Sequence, residues 1–187
     1  MKRLISALFL IVLVSASVSA SAQVTASAIQ RGFSVDVGGE ASAFQPDYAG
    51  NGIAQTSPNR LYGYGAYIDA RFTRWIQVEA EGHWLQYNEF DGIGQNTYLI
   101  GPKVPIVDFH RITPYGKFLI GWGSGNGWLF GKATTFAYGG GVEYRLWRRF
   151  TIRPFDFEYE SWRTTPVLRP YGASAGISYR VLGGRAR

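Results

Sequence analysis

In Trp75-Ile-Gln-Val-Glu-Ala-Glu-Gly-His-Trp84 the residues from Ile76 onward alternate without a break. Ile76, Val78, Ala80, Gly82 and Trp84 take one parity, and Gln77, Glu79, Glu81 and His83 take the other. Successive side chains of a β-strand point to opposite faces, so this segment has one apolar face and one face carrying carboxylates. A half-buried strand of a soluble protein would look the same. Repetition of the pattern is what separates the two cases. Strands of this kind closed into a ring give a barrel that is apolar outside and polar inside, which suits a lipid bilayer.

The pattern recurs about eight times. Upstream, Phe33–Ala43 sets Phe33, Val35, Val37 and Ala41 against Ser34, Asp36 and Glu40, and a polar loop over Phe44–Arg60 follows. Leu61–Phe72 sets Tyr62, Tyr64, Ala66, Ile68 and Ala70 against Tyr67, Asp69 and Arg71, with a tight turn at Thr73-Arg74. The strand that opened this reading runs to Tyr87, and Asn88–Gly92 connects it onward. Gly94–Val104 then has Tyr98, Ile100 and Val104 outward and Lys103 inward. After a turn at Pro105–Arg111, Ile112–Trp122 points Phe118, Ile120 and Trp122 outward and Tyr115 and Lys117 inward.

A glycine-rich loop from Gly123 leads to Thr134–Trp147, where Phe136, Tyr138, Val142 and Tyr144 oppose Glu143 and Arg145. Phe150–Trp162 changes phase: Phe150 and Ile152 share one parity, while Phe155, Phe157 and Tyr159 take the other. A one-residue slip turns over every later side chain, so a β-bulge at Arg153-Pro154 is expected. Beyond it Asp156, Glu158 and Glu160 face inward. Pro170–Val181 closes the set, with Tyr171, Ala173, Ala175, Ile177 and Tyr179 outward and Ser174, Ser178 and Arg180 inward.

These observations predict an all-β fold, an eight-stranded antiparallel up-and-down transmembrane β-barrel. Segments of about ten residues at a ~45° tilt cross a bilayer. Short turns alternate with longer loops, as in bacterial barrels whose termini both lie on the periplasmic side. Phe72, Trp75, Trp84, Trp122, Trp147, Phe150 and Trp162 fall near strand ends, where interfacial aromatic girdles sit. An exported soluble β-barrel or sandwich is the alternative. Against it, the apolar sets are aromatic and glycine-interleaved, and nine of the 13 carboxylates share the parity opposite the aromatics.

The first residues read as an export signal. Lys2-Arg3 is its positive start, Leu4–Val14 is apolar except for Ser6, and Ala20-Ser21-Ala22 is a small-residue cleavage site. The expected domains are therefore a signal peptide over 1–22 and a barrel over 23–187. With no cysteine, neither a lipid-anchored N-terminal Cys nor a disulfide framework is expected. The net charge of +6 includes Lys2 and Arg3, and the remaining bases are scattered. A lipid-phosphate surface is the expected partner, and nucleic acid is not.

The segments Thr97-Tyr-Leu-Ile-Gly-Pro-Lys103, Thr113-Pro-Tyr-Gly-Lys117 and Arg153-Pro-Phe-Asp-Phe-Glu-Tyr159 resemble the central and late strands of small eight-stranded outer-membrane β-barrels, the OmpA-like family in its barrel-only form. The likeness spans Phe33 to Val181. It implies a Gram-negative outer-membrane location and folding by the barrel assembly machinery. Chains of that family usually end on an aromatic residue that the machinery reads. Here Tyr179 is followed by Arg180-Val-Leu-Gly-Gly-Arg-Ala-Arg187, so an internal or weaker signal is implied. No peptidoglycan-binding domain is expected after the last strand, so the cell-wall tether of longer relatives is not implied.

An eight-stranded barrel is just wide enough for its interior to be filled by side chains. Asp36, Glu40, Asp69, Glu79, Glu81, Glu143, Asp156, Glu158 and Glu160 would share it with Arg71, Lys103, Lys117, Arg145, Arg153 and Arg180. Unpaired charge in such a space is costly, so an ion-paired plug is expected rather than a pore. Same-face pairs such as Glu79/Glu81 could do acid–base chemistry, but every charged strand offers that spacing. The two histidines, His83 and His110, sit in no Ser/His/acid arrangement of a lipid-modifying enzyme. No phosphate loop, zinc spacing or calcium loop is present, and no cofactor is expected. The function expected is structural or interactive, in a monomer, with loops Phe44–Arg60, Gly123–Gly131 and Arg163–Arg169 outside. Arg60, Lys132, Arg163 and Arg169 are the candidate contacts to lipopolysaccharide phosphates. A lipid-modifying enzyme and a narrow porin-like channel are the alternatives.

Overall fold

The computed structural model describes residues 33–47, 60–73, 75–90, 93–107, 109–125, 131–165 and 167–183. The expected export signal, most of the expected first loop and the centre of the glycine-rich loop lie outside them. Eight strands form the fold: β1 Ser34–Gln45, β2 Leu61–Arg71, β3 Gln77–Phe90, β4 Ile93–Pro105, β5 Ile112–Gly125, β6 Lys132–Arg145, β7 Phe150–Trp162 and β8 Tyr171–Leu182. Each pairs antiparallel with its sequence neighbours, and β1 pairs with β8, so the sheet closes on itself. A closed sheet has no unpaired edge, which lets strands cross hydrocarbon with every ladder group satisfied. Among the described residues no helix is long and apolar enough to cross a membrane.

Strand lengths of 11 to 14 residues exceed the span a bilayer requires. The outer surface is what the alternation predicted: Tyr64, Ile68, Ile100, Phe118, Ile120, Trp122, Tyr138 and Phe157 are all exposed on it. Neighbouring rings touch around the wall, from Tyr64 to Trp84, Trp84 to Tyr98 and Tyr98 to Trp122, with centroids 5.6, 6.0 and 5.8 Å apart. Such pairs stabilise beyond their area.

The phase slip in β7 is a bulge. Opposite β8, Arg153 pairs with Gly176 and Asp156 with Ser174, so three steps face two. Opposite β6, Phe155 pairs with Val142 and Ile152 with Tyr144, which repeats the mismatch. Pro154 and Phe155 both face outward, leaving Arg153 and Asp156 buried on either side. Proline, with no N–H to give the ladder, suits the extra position.

Several boundaries differ from expectation. Phe44 belongs to β1 and points inward, 1% exposed, instead of opening a surface loop. The link after β3 is shorter than expected, because β3 reaches Phe90 and pairs it with Ile93 of β4. Trp162 is not part of the outer girdle: it shares the inward parity of Glu160 and is 1% exposed. The segment after it folds back, Leu168 being bridged to Trp162 and equally buried.

Candidate functional site in the barrel interior

The interior has three zones. At the end bearing the long loops it is apolar: Phe44, Leu61 and Leu85 cluster, with Trp162 and Leu168 also buried. Leu99, Leu119 and Ala137 make a second apolar group on the wall. These leucines stand on the parity read as polar, so the interior is not lined by charge alone. The signal was present, since Leu61, Leu85, Leu99 and Leu119 each sit out of phase with the outward aromatics of their strands.

The middle zone holds the ion network. Lys103 Nζ donates to Asp69 at 3.0 Å, Glu79 at 2.9 Å and Glu143 at 2.5 Å. Lys117 Nζ lies 3.1 Å from Glu79, 2.8 Å from Glu81, 2.7 Å from Asp156 and 2.6 Å from Glu158. Arg153, joined to the bulge, reaches Glu79 at 2.5 Å, Asp156 at 3.0 Å and Asp69 at 3.1 Å. Its guanidinium also lies 3.8 Å from the centre of the Tyr67 ring, a cation–π contact. Among the described residues Glu79, with no exposed side-chain surface, is the one carboxylate that meets all three cations. Isolated buried charges would each cost several kcal/mol, and this convergence is what offsets the desolvation.

Above the network, His83 is fully buried and its Nε2 lies 2.7 Å from Glu40 Oε1. Thr97 Oγ1 is 3.4 Å from His83 Nδ1, and the Phe44 ring lies 5.2 Å from the imidazole. Glu160 accepts from Trp162 Nε1 at 2.5 Å. Both histidine nitrogens are thus met from within the barrel.

The third zone is the end that carries the start of β1 and the end of β8. Arg180 holds Asp36 through Nε at 2.7 Å and Nη2 at 3.0 Å. Two paired bonds of this kind fix geometry as well as charge. Arg71 and Arg145 are half-buried at this end, and Arg71 Nε donates to the Gln77 amide oxygen at 3.0 Å when that amide is turned to present its oxygen. An opening of about 390 Å³ there is lined by His110, Arg111, Arg145, Trp147, Arg148 and Arg180. His110 itself is exposed in the β4–β5 turn with φ of 54°.

Arg60, Lys132, Arg163 and Arg169 are all exposed at the opposite, long-loop end. Arg163 lies 5.4 Å from the Phe136 ring on the outer wall, and the Arg169 backbone N–H donates to Asp47 at 3.0 Å.

The family model described as "Outer membrane protein beta-barrel domain" matches residues 8–180. No curated protein matches the chain. Among solved structures, Ail, the attachment invasion locus protein of Yersinia pestis, is 20% identical with a TM-score of 0.51, covering 81% of this chain and 99% of its own. Neisserial surface protein A is 14% identical with a TM-score of 0.52, over 79% and 96% of the two chains. OprG of Pseudomonas aeruginosa is 12% identical with a TM-score of 0.50, over 81% and 96%. Identities at this level speak for the fold.

Proposed function

The chain belongs to the outer membrane protein β-barrel domain family, and from that premise we propose that it is a non-conducting outer-membrane barrel with a structural and surface-contact role. The observation carrying this reading is the filled interior. An apolar cap of Phe44, Leu61, Leu85, Trp162 and Leu168 lies in series with the Lys103–Lys117–Arg153 network. A solute would have to displace both. The same burial weighs against a lipid-modifying reaction, since His83 lies beneath Phe44 and away from the membrane rim.

The contact surface is the long-loop rim. Arg60, Lys132, Arg163 and Arg169 are spread around it, where the phosphates of lipopolysaccharide would meet them. Arg163 packed along Phe136 sets a cation just above lipid-facing aromatic surface. Basic residues beside an anionic lipid surface each contribute about 1 kcal/mol, screened by salt.

Two measurements test the reading. The purified barrel should pass no current in planar bilayers. Changing Arg60, Lys132, Arg163 and Arg169 together to Gln should weaken binding to lipopolysaccharide-containing vesicles about tenfold or more at low salt. Unchanged binding defeats the proposed contact, and steady conductance defeats the plug.

A further inference from the structure

His83 belongs to two overlapping sets of possible metal ligands. One is Glu40, Glu81 and His83, and the other is His83, Glu158 and Glu160; in each the ligating atoms lie within 4.8 Å of one another. We propose that this cluster is an interior binding site for one divalent cation of the Zn2+ type, with His83 as its nitrogen ligand and the surrounding glutamates as its oxygen ligands.

The glutamates are half-used in a consistent way. Glu81 Oε2 and Glu158 Oε1 are held by Lys117, at 2.8 and 2.6 Å. Glu160 Oε2 is held by Trp162, and Glu40 Oε1 by His83. The other oxygen of each, Glu40 Oε2, Glu81 Oε1, Glu158 Oε2 and Glu160 Oε1, is buried with no hydrogen-bond partner. All four residues are more than nine-tenths buried, between 1% and 6% exposed. Buried carboxylate oxygens without partners carry a heavy desolvation cost. Glu40 Oε2 faces Arg153 Nη1 at 3.8 Å, and the other three around one imidazole make a pocket of unspent ligand atoms.

Charge points the same way. Eight carboxylates (Glu40, Asp69, Glu79, Glu81, Glu143, Asp156, Glu158 and Glu160) share this interior network with three permanent cations, Lys103, Lys117 and Arg153. Lys117 reaches Glu81 and Glu158 and Arg153 lies 3.8 Å from Glu40, but Glu160 is met by the neutral Trp162, so the negative charge left over sits on the Glu160 side of the cluster. A divalent ion there would offset two units of it.

The donor set selects the metal class. One imidazole with carboxylates suits Zn2+ and similar first-row ions, while carboxylates alone suit Ca2+ and Mg2+. Zn–N and Zn–O distances of about 2.0–2.2 Å are within reach of a cluster whose ligating atoms already lie within 4.8 Å of one another. The groups behind the ligands are already placed to aim them: Lys117 behind Glu81 and Glu158, Trp162 behind Glu160, Thr97 behind His83. The apolar cap closes the site from above and the ion network from below, so the ion would enter as the barrel closes rather than afterwards.

The test uses the full chain, unfolded in urea with a chelator and refolded in detergent with Zn2+ alone. Folding is scored by heat-sensitive gel migration, and bound metal by mass spectrometry after free ion is removed. One zinc per folded chain is expected, falling to near none in His83→Gln and in Glu160→Gln. Both variants keep a hydrogen-bonding side chain for their neighbours. Zinc added after folding should be taken up far more slowly than zinc present during folding. Co2+ refolded with the unaltered chain should give the visible absorption of a nitrogen- and oxygen-ligated ion, which reports on the site even where a variant fails to fold. A folded chain without zinc overturns the proposal. So does zinc retained in full by folded His83→Gln, or preferential retention of Ca2+ or Mg2+ from an equimolar mixture.

Discussion

Glu40 and His83, 43 residues apart in the chain, meet across a glycine with 2.7 Å between Oε1 and Nε2. Gly65 is the register partner of both. A Cβ there would lie 2.7 Å from His83 Cδ2 and 2.9 Å from Glu40 Cγ. Gly65→Ala should therefore cost about 1–3 kcal/mol through overpacking. Gly39→Ala, where the nearest atom is 3.8 Å away, should stay within about 0.5 kcal/mol. Urea titrations of both variants in lipid vesicles check the difference; equal midpoints would mean the contact is not needed.

Lys117 is the hub of four carboxylates. Lys117→Met retains much of the side-chain volume and removes the charge. The expected loss is about 3–5 kcal/mol, the usual cost of stripping one partner from a buried ionic group. Adding Glu81→Gln and Glu158→Gln to Lys117→Met should restore part of it. A triple variant no more stable than the single would show that charge balance is not what Lys117 supplies.

Deleting Pro154 removes the extra residue of the bulge. Phe155 then takes the single outward place between Arg153 and Asp156, so Asp156, Glu158 and Glu160 keep their inward face. Inserting one alanine between Asp156 and Phe157 instead turns over every residue from Phe157 to Trp162, sending Glu158 and Glu160 toward lipid. The deletion should keep the heat-sensitive folded band and the insertion should abolish it. Loss of the band in the deletion would mean that the bulge is needed for more than the phase of β7.

Phe118 faces outward midway along β5, and Trp147 lies exposed in the turn before β7. Phe118→Arg should destabilise the barrel by about 2–4 kcal/mol and Trp147→Arg by only about 0–1 kcal/mol, because the cost of a charge falls off toward the interface. Comparable costs at the two sites would contradict the membrane placement of β5.

Much of this architecture was legible in residue parity. The bulge followed from Ile152 and Phe155 disagreeing in phase, and the inward face of β3 from its alternation over Ile76–Trp84. What parity could not reveal was how the inward residues sort along the axis. That sorting depends on which side chains from opposite walls reach the same level, a property of register and of small neighbours such as Gly65 and Gly123. Trp162 was misplaced because an aromatic at a strand end suggests an interface, whereas its step of two from Glu160 puts it inside. The leucine cap is not visible in charge alone, since Leu61 and Leu85 share their parity with Asp69 and Glu79. The pairing of Glu40 with His83 has no local signal, since it links β1 and β3 across a strand that contributes only a glycine.

The inward turn of Trp162 gives the protein an optical asymmetry. Trp75, Trp84 and Trp122 lie along the outer wall or at its edge, within reach of quenchers dissolved in the bilayer. Trp162 is screened from those quenchers by the strands themselves, and stacks over Gly123 at 2.6 Å from where a Cβ would stand. A chain retaining only Trp162 would keep its fluorescence in brominated lipid once the barrel has closed. The moment of protection would time the sealing of the interior separately from insertion of the wall.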